Sequence, residues 1–423
     1  MQNNEMTSNN IIKNRETLFL ASFILVIISK CLNISVISEY IPYSTVYALY
    51  IAVWCFLAIL NIRITKHLTF STKVMFGLGL YYVIWGFHNI NEIDYSDAYG
   101  NLIRSVLLVL FIIVSCYWIN EYNCLDKLVK VVYYSFSIYL IVWLLISIPD
   151  INLAKTLSNF WSSSNDVRYR NYIGFSFPNI GAEMAVSTIM LSKMTQCNNA
   201  WKRMINVLML FIVVINNSRG SLLALVLFEI LYYFVRNKNT KSVKRLWRAI
   251  VAISFVVICY IVYLMFAKNM SLYEVLDGTN RQAAIEENMR LLKNSGKWWM
   301  GIGRLTGGFF SAKNTVYGAR TGYLEVFYFE AFITTGIIGC IWIALLLITY
   351  IKKVVNIAQE KSNNTYGKWL FCVVIYMLFV SLFEVYFFSY IYATSMCFNI
   401  IILSYINGLQ KQKNENKSEW NGE

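Results

Sequence analysis

Apolar stretches long enough to cross a bilayer follow one another along almost the whole chain, and few folds can absorb that. A spanning helix needs roughly 20 mostly apolar residues, and stretches near that length occur at 17–37, 42–61, 74–90, 101–119, 131–148, 173–192, 204–217, 221–235, 249–267, 323–350, 369–388 and 390–406. One such run fits the core helix of a soluble domain, but about twelve in series cannot all be buried against one another. Hydrophobic residues are 57% of the 423 and charged ones 14%, whereas a soluble domain is about a quarter charged. The surplus apolar surface must face lipid. Three prolines and twenty glycines are too few for a disordered chain, and no period of about 20–50 residues marks a solenoid. The expectation is an all-α polytopic integral membrane protein, a single domain over 1–423 with about 12 transmembrane helices. The 204–217 run is short enough to be tilted and 323–350 is long enough to begin as an interfacial helix, so the count holds to within one.

The first sixteen residues, MQNNEMTSNNIIKNRE, are polar and carry no cleavage-site pattern, so the first run reads as a retained helix. Of nine cysteines, seven lie inside apolar runs, which implies no disulfide framework. With the N-terminus in the cytoplasm, the inside segments collect Lys13 and Arg15, then Arg63, Lys66 and Lys73, and later the run Arg236, Lys238, Lys241, Lys244, Arg245 and Arg248. The tail at 407–423 adds Lys411, Lys413 and Lys417, while the short outer loops at 38–41 and 91–100 hold no Lys or Arg. Positive charge retained inside sets orientation, so both termini are expected in the cytoplasm. The same anchors beside anionic lipid account for most of the net +14 without a nucleic-acid partner.

Two outer segments break the charge rule: 149–172 holds Lys155, Arg168 and Arg170, and 268–322 holds eight Lys or Arg residues. Long loops translocate largely regardless of charge, so orientation survives, but the cations need a purpose. The large 268–322 loop, with NMRLLKNSGKWWMG patterned as a short amphipathic helix, is the sizeable element expected outside. Cations at a membrane surface suit a phosphate, and Arg suits it best because its planar fork gives two charge-assisted hydrogen bonds. Arg219, in INNSRGSLL between two apolar runs, lies near the outer boundary, where a topology anchor is out of place. Arg281 and Arg290 stand nine apart in the loop, on a stretch that also reads as a solvated amphipathic face. Glu92, Asp94 and Asp97 form an acidic cluster on a short outer loop that reads as solvated, and Lys30, Glu183 and Glu384 fall within spans, where charge usually faces a cavity or a partner. Lys30 with Glu183 or with Glu384 would make a buried pair.

The order of these features is similar to that of the O-antigen ligase and Wzy-type polysaccharide polymerase superfamily. SRG is followed by an apolar helix, a basic loop, one more span, an outer loop with an Arg before an amphipathic stretch, then GIG, then a helix containing TTGIIG. The resemblance covers about Asn216 to Leu347, and RYRNYIGFSFPNIGAEMA upstream resembles the segment before the family core, with Gly174, Pro178, Asn179 and Ala182 matching. Ser218 and Arg219 match the family's Ser-Arg pair, Arg281 its loop arginine, Gly301 and Gly303 its GxG, and Gly336 and Gly339 the glycines after its catalytic loop. Where the ligases carry a His, eleven residues before the first of those glycines, this chain has Glu325, with Arg320 and Thr321 nearby. That departure favours a polymerase over a lipid A-core ligase.

The resemblance implies a reaction and a place for it. A glycan carried on undecaprenyl diphosphate is attacked at its anomeric carbon by a sugar hydroxyl, at the outer face of the bacterial cytoplasmic membrane. Cations stabilise the diphosphate leaving group and a base takes the hydroxyl proton. Arg219 and Arg281 are expected to do the first, with Arg290, Arg320, Arg170, Asn179 and Ser218 binding diphosphate or glycan, and Glu325 or Glu330 the second. No cofactor is expected, and no metal, since the 268–322 loop has no DxD pair. Expected partners are the undecaprenyl-diphosphate-linked oligosaccharide, the lipid bilayer, a flippase and a chain-length regulator. A flippase or secondary carrier is the alternative, and a ligase with another acceptor a third; the former calls for charges spread along a central cavity, the latter shares every motif.

Overall fold

The computed structural model describes residues 2–33, 43–60, 69–89, 98–158, 171–175, 177–236, 248, 288–290, 292–301, 326–360, 364–384, 386–387 and 392–420. Every regular element among them is helical: α1 (Gln2–Asn33), α2 (Tyr43–Leu60), α3 (Phe70–Asn89), α4 (Ala98–Tyr122), α5 (Leu125–Ser147), α6 (Leu153–Ser158), α7 (Pro178–Ser192), α8 (Asn199–Ile215), α9 (Arg219–Arg236), α10 (Phe327–Glu360), α11 (Thr365–Val380) and α12 (Ala393–Trp420), with a 3₁₀ turn at Ile148–Asp150. The three prolines fall at helix boundaries: Pro42 just before α2, Pro149 in the turn that ends α5, and Pro178 opening α7. A proline inside a helix would remove a hydrogen bond and clash with the preceding turn, whereas at its first position the missing N–H costs nothing. Without Pro or Gly to stop it, α1 begins well before its apolar run, at Gln2. α12 continues past Gly408 and through the polar tail to Trp420.

Two of the described helical stretches are long and apolar enough to cross a membrane, Leu125–Asp150 and Phe327–Ala358. Val106–Tyr122, Thr365–Val380 and Ala393–Leu409 are shorter apolar helices. Several helices are apolar on their exposed as well as their buried sides. α5 buries Leu128, Val132, Phe136 and Leu140 yet exposes Ile138, Val142 and Leu145, and α8 buries Ile205, Met209 and Ile212 yet exposes Met204, Val207 and Phe211. Contiguous apolar stripes of that kind are rare on a surface that meets water.

The chain, expected as one domain, divides into two compact units. The first comprises Met1–Tyr82, Ile103–Val226 and Phe388–Glu423. Its centre is α7, in which Pro178 and every residue from Ile180 to Ser192 are buried, so α5, α8 and α12 pack around a helix that has no outer face. An aromatic cluster joins α1, α2 and α4: Trp54 lies 4.8 Å from Phe111, and Phe19 stacks on Trp118 at 5.5 Å. The second unit comprises Val83–Leu102 and Leu227–Phe387. There α10 and α11 run antiparallel, since Phe327 N–H donates to Ser381 O at 3.1 Å while Gly367, early in α11, abuts Ile357 late in α10. α11 also buries Lys368, whose Nζ donates to Arg236 O at the end of α9 at 3.3 Å. A cation there meets the negative end of the α9 dipole.

Candidate functional site

In the first unit, two segments about 40 residues apart in sequence are locked together. Asn171 donates from Nδ2 to Ile215 O at 2.7 Å and to Thr156 Oγ1 at 3.2 Å, which ties the entry to α7 onto the last turn of α8 and onto α6. Asn216 returns the tie, its Nδ2 donating to Pro178 O at 3.0 Å. Both corners have positive φ, and the first is strained. Ile173 and Asn217 have φ of 41° and 52°, and positive φ is a genuine outlier for a β-branched residue. Gly174 follows with φ 73°, and a Cβ there would enter the Trp143 ring. Gly181 is equally confined, because a Cβ would stand 2.9 Å from Asn216 Nδ2 and from the Phe175 ring. The residues around the start of α7 and those between α8 and α9 therefore meet.

Beneath that contact runs a chain of hydrogen bonds. Ser221 Oγ donates to Glu183 Oε1 at 2.5 Å, and Ser218 Oγ lies 2.6 Å from Ser221 Oγ. A hydroxyl has one proton, and the proton of Ser221 is committed to the carboxylate, so Ser218 is the donor to Ser221. The chain is thus directed from Ser218 through Ser221 to Glu183. Glu183 is 1% exposed, Ser221 2% and Ser218 6%, so all three are buried, Ser218 the least. Ser218 also caps α9, its carbonyl accepting from Leu222 N–H at 3.1 Å, as Ser commonly does. Arg219, half-buried, is the next residue and the first of α9. Asn216 Oδ1, two residues before Ser218, is buried with no hydrogen-bond partner.

No protein-family model matches the chain, and no curated protein matches it. The residues themselves carry the functional argument.

In the second unit the other two motif segments also meet. Gly301, of GIG, has φ 72°, and Gly336, of TTGIIG, has φ 64° and interrupts α10. A Cβ on Gly336 would lie 2.5 Å from Gly301 N and from Trp299 O, and one on Gly301 would strike Thr334 O. The amides freed by the break are used at once: Ile337 N–H donates to Trp298 O at 3.0 Å and Ile338 N–H to Trp299 O at 3.1 Å. Trp85 Nε1 donates to Met300 O at 2.6 Å, holding the same turn from α3. The single span expected at 323–350 is therefore a helix broken at Gly336 to grip the KWWMG turn. Residues 288–290 and 292–295 are helical, with Asn288 and Leu292 buried and Arg290 and Lys293 exposed, as an amphipathic turn should be. Burial lowers the Lys297 ammonium from its ordinary range.

Of the expected site residues, Ser218, Arg219 and Asn179 lie in the first unit, with Asn179 half-buried in the first turn of α7. Arg290 lies exposed in the second. Arg170, Arg281, Arg320 and Glu325 lie outside the described residues. Glu330 is buried in the first turn of α10, its carbonyl accepting from Thr334 Oγ1 at 2.6 Å. Lys30 and Glu183 are both buried in the first unit, whereas Glu384 belongs to the second. Ser221 was missed at the level of sequence. Its spacing of three from Ser218 put both on one side of a helix start, but nothing local pointed to Glu183, 38 residues away.

Proposed function

We propose that this chain is a polytopic membrane glycosyltransferase that polymerises undecaprenyl-diphosphate-linked repeat units at the outer face of the bacterial cytoplasmic membrane. The reading supposes about twelve crossings with both termini in the cytoplasm, which the Lys and Arg distribution supports. One observation carries it: the start of α7 is tied to the corner before α9, so that Arg219 opens a helix whose Ser221 is hydrogen-bonded to a buried carboxylate. In an otherwise apolar helix bundle such a polar site is costly to build and marks function. Arg219 and the positive end of α9 carry charge of the same sign at the same place, which favours a diphosphate there.

In the reaction, Arg219 and Arg281 offset the charge that develops on the leaving diphosphate, and Arg290, Arg320 and Arg170 extend the cationic surface that holds donor and acceptor. Removing one preorganised donor of this kind costs about 10²–10³ in rate. The test is in cells with the chromosomal copy deleted. Arg219→Ala and Arg281→Ala, at normal protein levels, should leave single lipid-linked repeat units at the outer face and no long polymer, and Arg281→Lys should also be impaired because Lys lacks the fork. Full-length polymer from both Ala variants overturns the assignment. Units held at the inner face in the deletion strain would instead identify a flippase.

A further inference from the structure

We infer that Glu183 receives the acceptor's proton through Ser221 and Ser218, so that the base of the reaction is a carboxylate buried in α7; this rests on the polymerase reading above. Three observations point to it. The chain has a direction, because the proton of Ser221 is already given to Glu183 Oε1 at 2.5 Å and Ser218 must donate onward at 2.6 Å. All three members are buried, Ser218 the least, and Ser218 is next in sequence to the half-buried Arg219. With its own proton committed inward, Ser218 Oγ faces any newcomer as an acceptor, which is what an attacking hydroxyl requires.

The step balances without a co-reactant. The acceptor hydroxyl oxygen bonds to the anomeric carbon as the bond from that carbon to the diphosphate oxygen breaks, and the diphosphate leaves with the electron pair. The hydroxyl proton passes to Ser218 Oγ, that of Ser218 to Ser221, and that of Ser221 to Glu183. Both serines end neutral and Glu183 ends protonated, to be reset as the product leaves. Ser218 is the catalytic residue that touches the sugar hydroxyl, and Ser221 and Glu183 act through it.

The experiment uses membranes carrying the full chain and, as probe, lipid-linked repeat units extracted from the deletion strain. Glu183→Gln keeps the shape and an acceptor oxygen but takes no proton; Ser221→Ala breaks the chain and leaves the carboxylate; Ser221→Thr keeps the hydroxyl. Wild-type turnover should fall at low pH as Glu183 is protonated. Glu183→Gln and Ser221→Ala should each lower kcat by about 10²-fold or more with KM little changed, the double variant should be no worse than either, and Ser221→Thr should recover at least part of the rate. The low-pH fall should be absent in Glu183→Gln. If Glu183→Gln fails to accumulate, the Ser221 pair decides, since both variants keep the buried charge. Normal turnover in Ser221→Ala or in Glu183→Gln overturns the relay alone and returns the base to Glu325 or Glu330. Wild-type membranes that do not extend the units overturn the polymerase reading, and the relay with it.

Discussion

A glycine at positive φ is replaceable or not according to what lies beside it, and Gly296 and Gly301 offer both cases in one short stretch. Gly296 has φ 66° and open space around it, whereas Gly301 has φ 72° with the Thr334 carbonyl in the way of any Cβ. Gly296→Ala should therefore cost only the backbone term, about 1 kcal/mol. Gly301→Ala and Gly336→Ala should cost more than twice that, because each Cβ would meet main chain, which cannot rotate aside. Thermal unfolding of the detergent-solubilised chain, followed by size-exclusion chromatography, checks the order; equal losses at Gly296 and Gly301 would show that α10 does not grip the KWWMG turn. Both motif glycines were visible in the sequence as parts of a pattern. That they exclude each other's Cβ was not, since the contact spans 35 residues and no periodicity encodes it.

Helix existence was legible because the apolar runs are long and hold Pro only near their starts, as at Pro42 and Pro178, and helix ends were not. The polar residues before Leu18 offered no stop, and Asn407-Gly408 after Ile406 did not act as one, so α1 and α12 continue through the polar ends. Nor did composition separate α7, buried on every side, from α8, which exposes an apolar stripe at Met204, Val207 and Phe211. Both helices read as apolar runs, and only packing decides which apolar face is covered. The stripe supplies a test of what covers it on α8. Val207 is 66% exposed, so Val207→Asp would be nearly neutral in water, where surface changes lie within about 0.5 kcal/mol. Against lipid the same change costs about 2.5–3.5 kcal/mol near a helix centre. Val207→Asp should reduce the amount of chain recovered in the membrane fraction severalfold while Val207→Leu leaves it unchanged; equal recovery would mean α8 turns that face to water.

At the scale of the whole molecule, the proposed arrangement across a bilayer is open to a direct test. The proposed topology, argued from Lys and Arg bias, puts 236–248 inside and 268–322 outside, and an impermeant thiol reagent tests it if native thiols stay silent. Most will. Cys31, Cys55, Cys116, Cys124, Cys372 and Cys397 are buried, and Cys197 and Cys340 are half-buried. Cys124, which precedes α5, has its thiol pushed up to about 12 by burial. Only the thiolate reacts, so this group stays protonated and inert at the pH of labelling. Replacing Cys197, Cys259 and Cys340 with Ser should thus leave a background that gives no label in intact cells. A single cysteine at Asn314 in that background should react in intact cells, and one at Asn239 only after permeabilisation. The opposite pattern would invert the molecule and carry the 268–322 cations away from the outer face, leaving Arg281 on the wrong side of the membrane for a glycan delivered there.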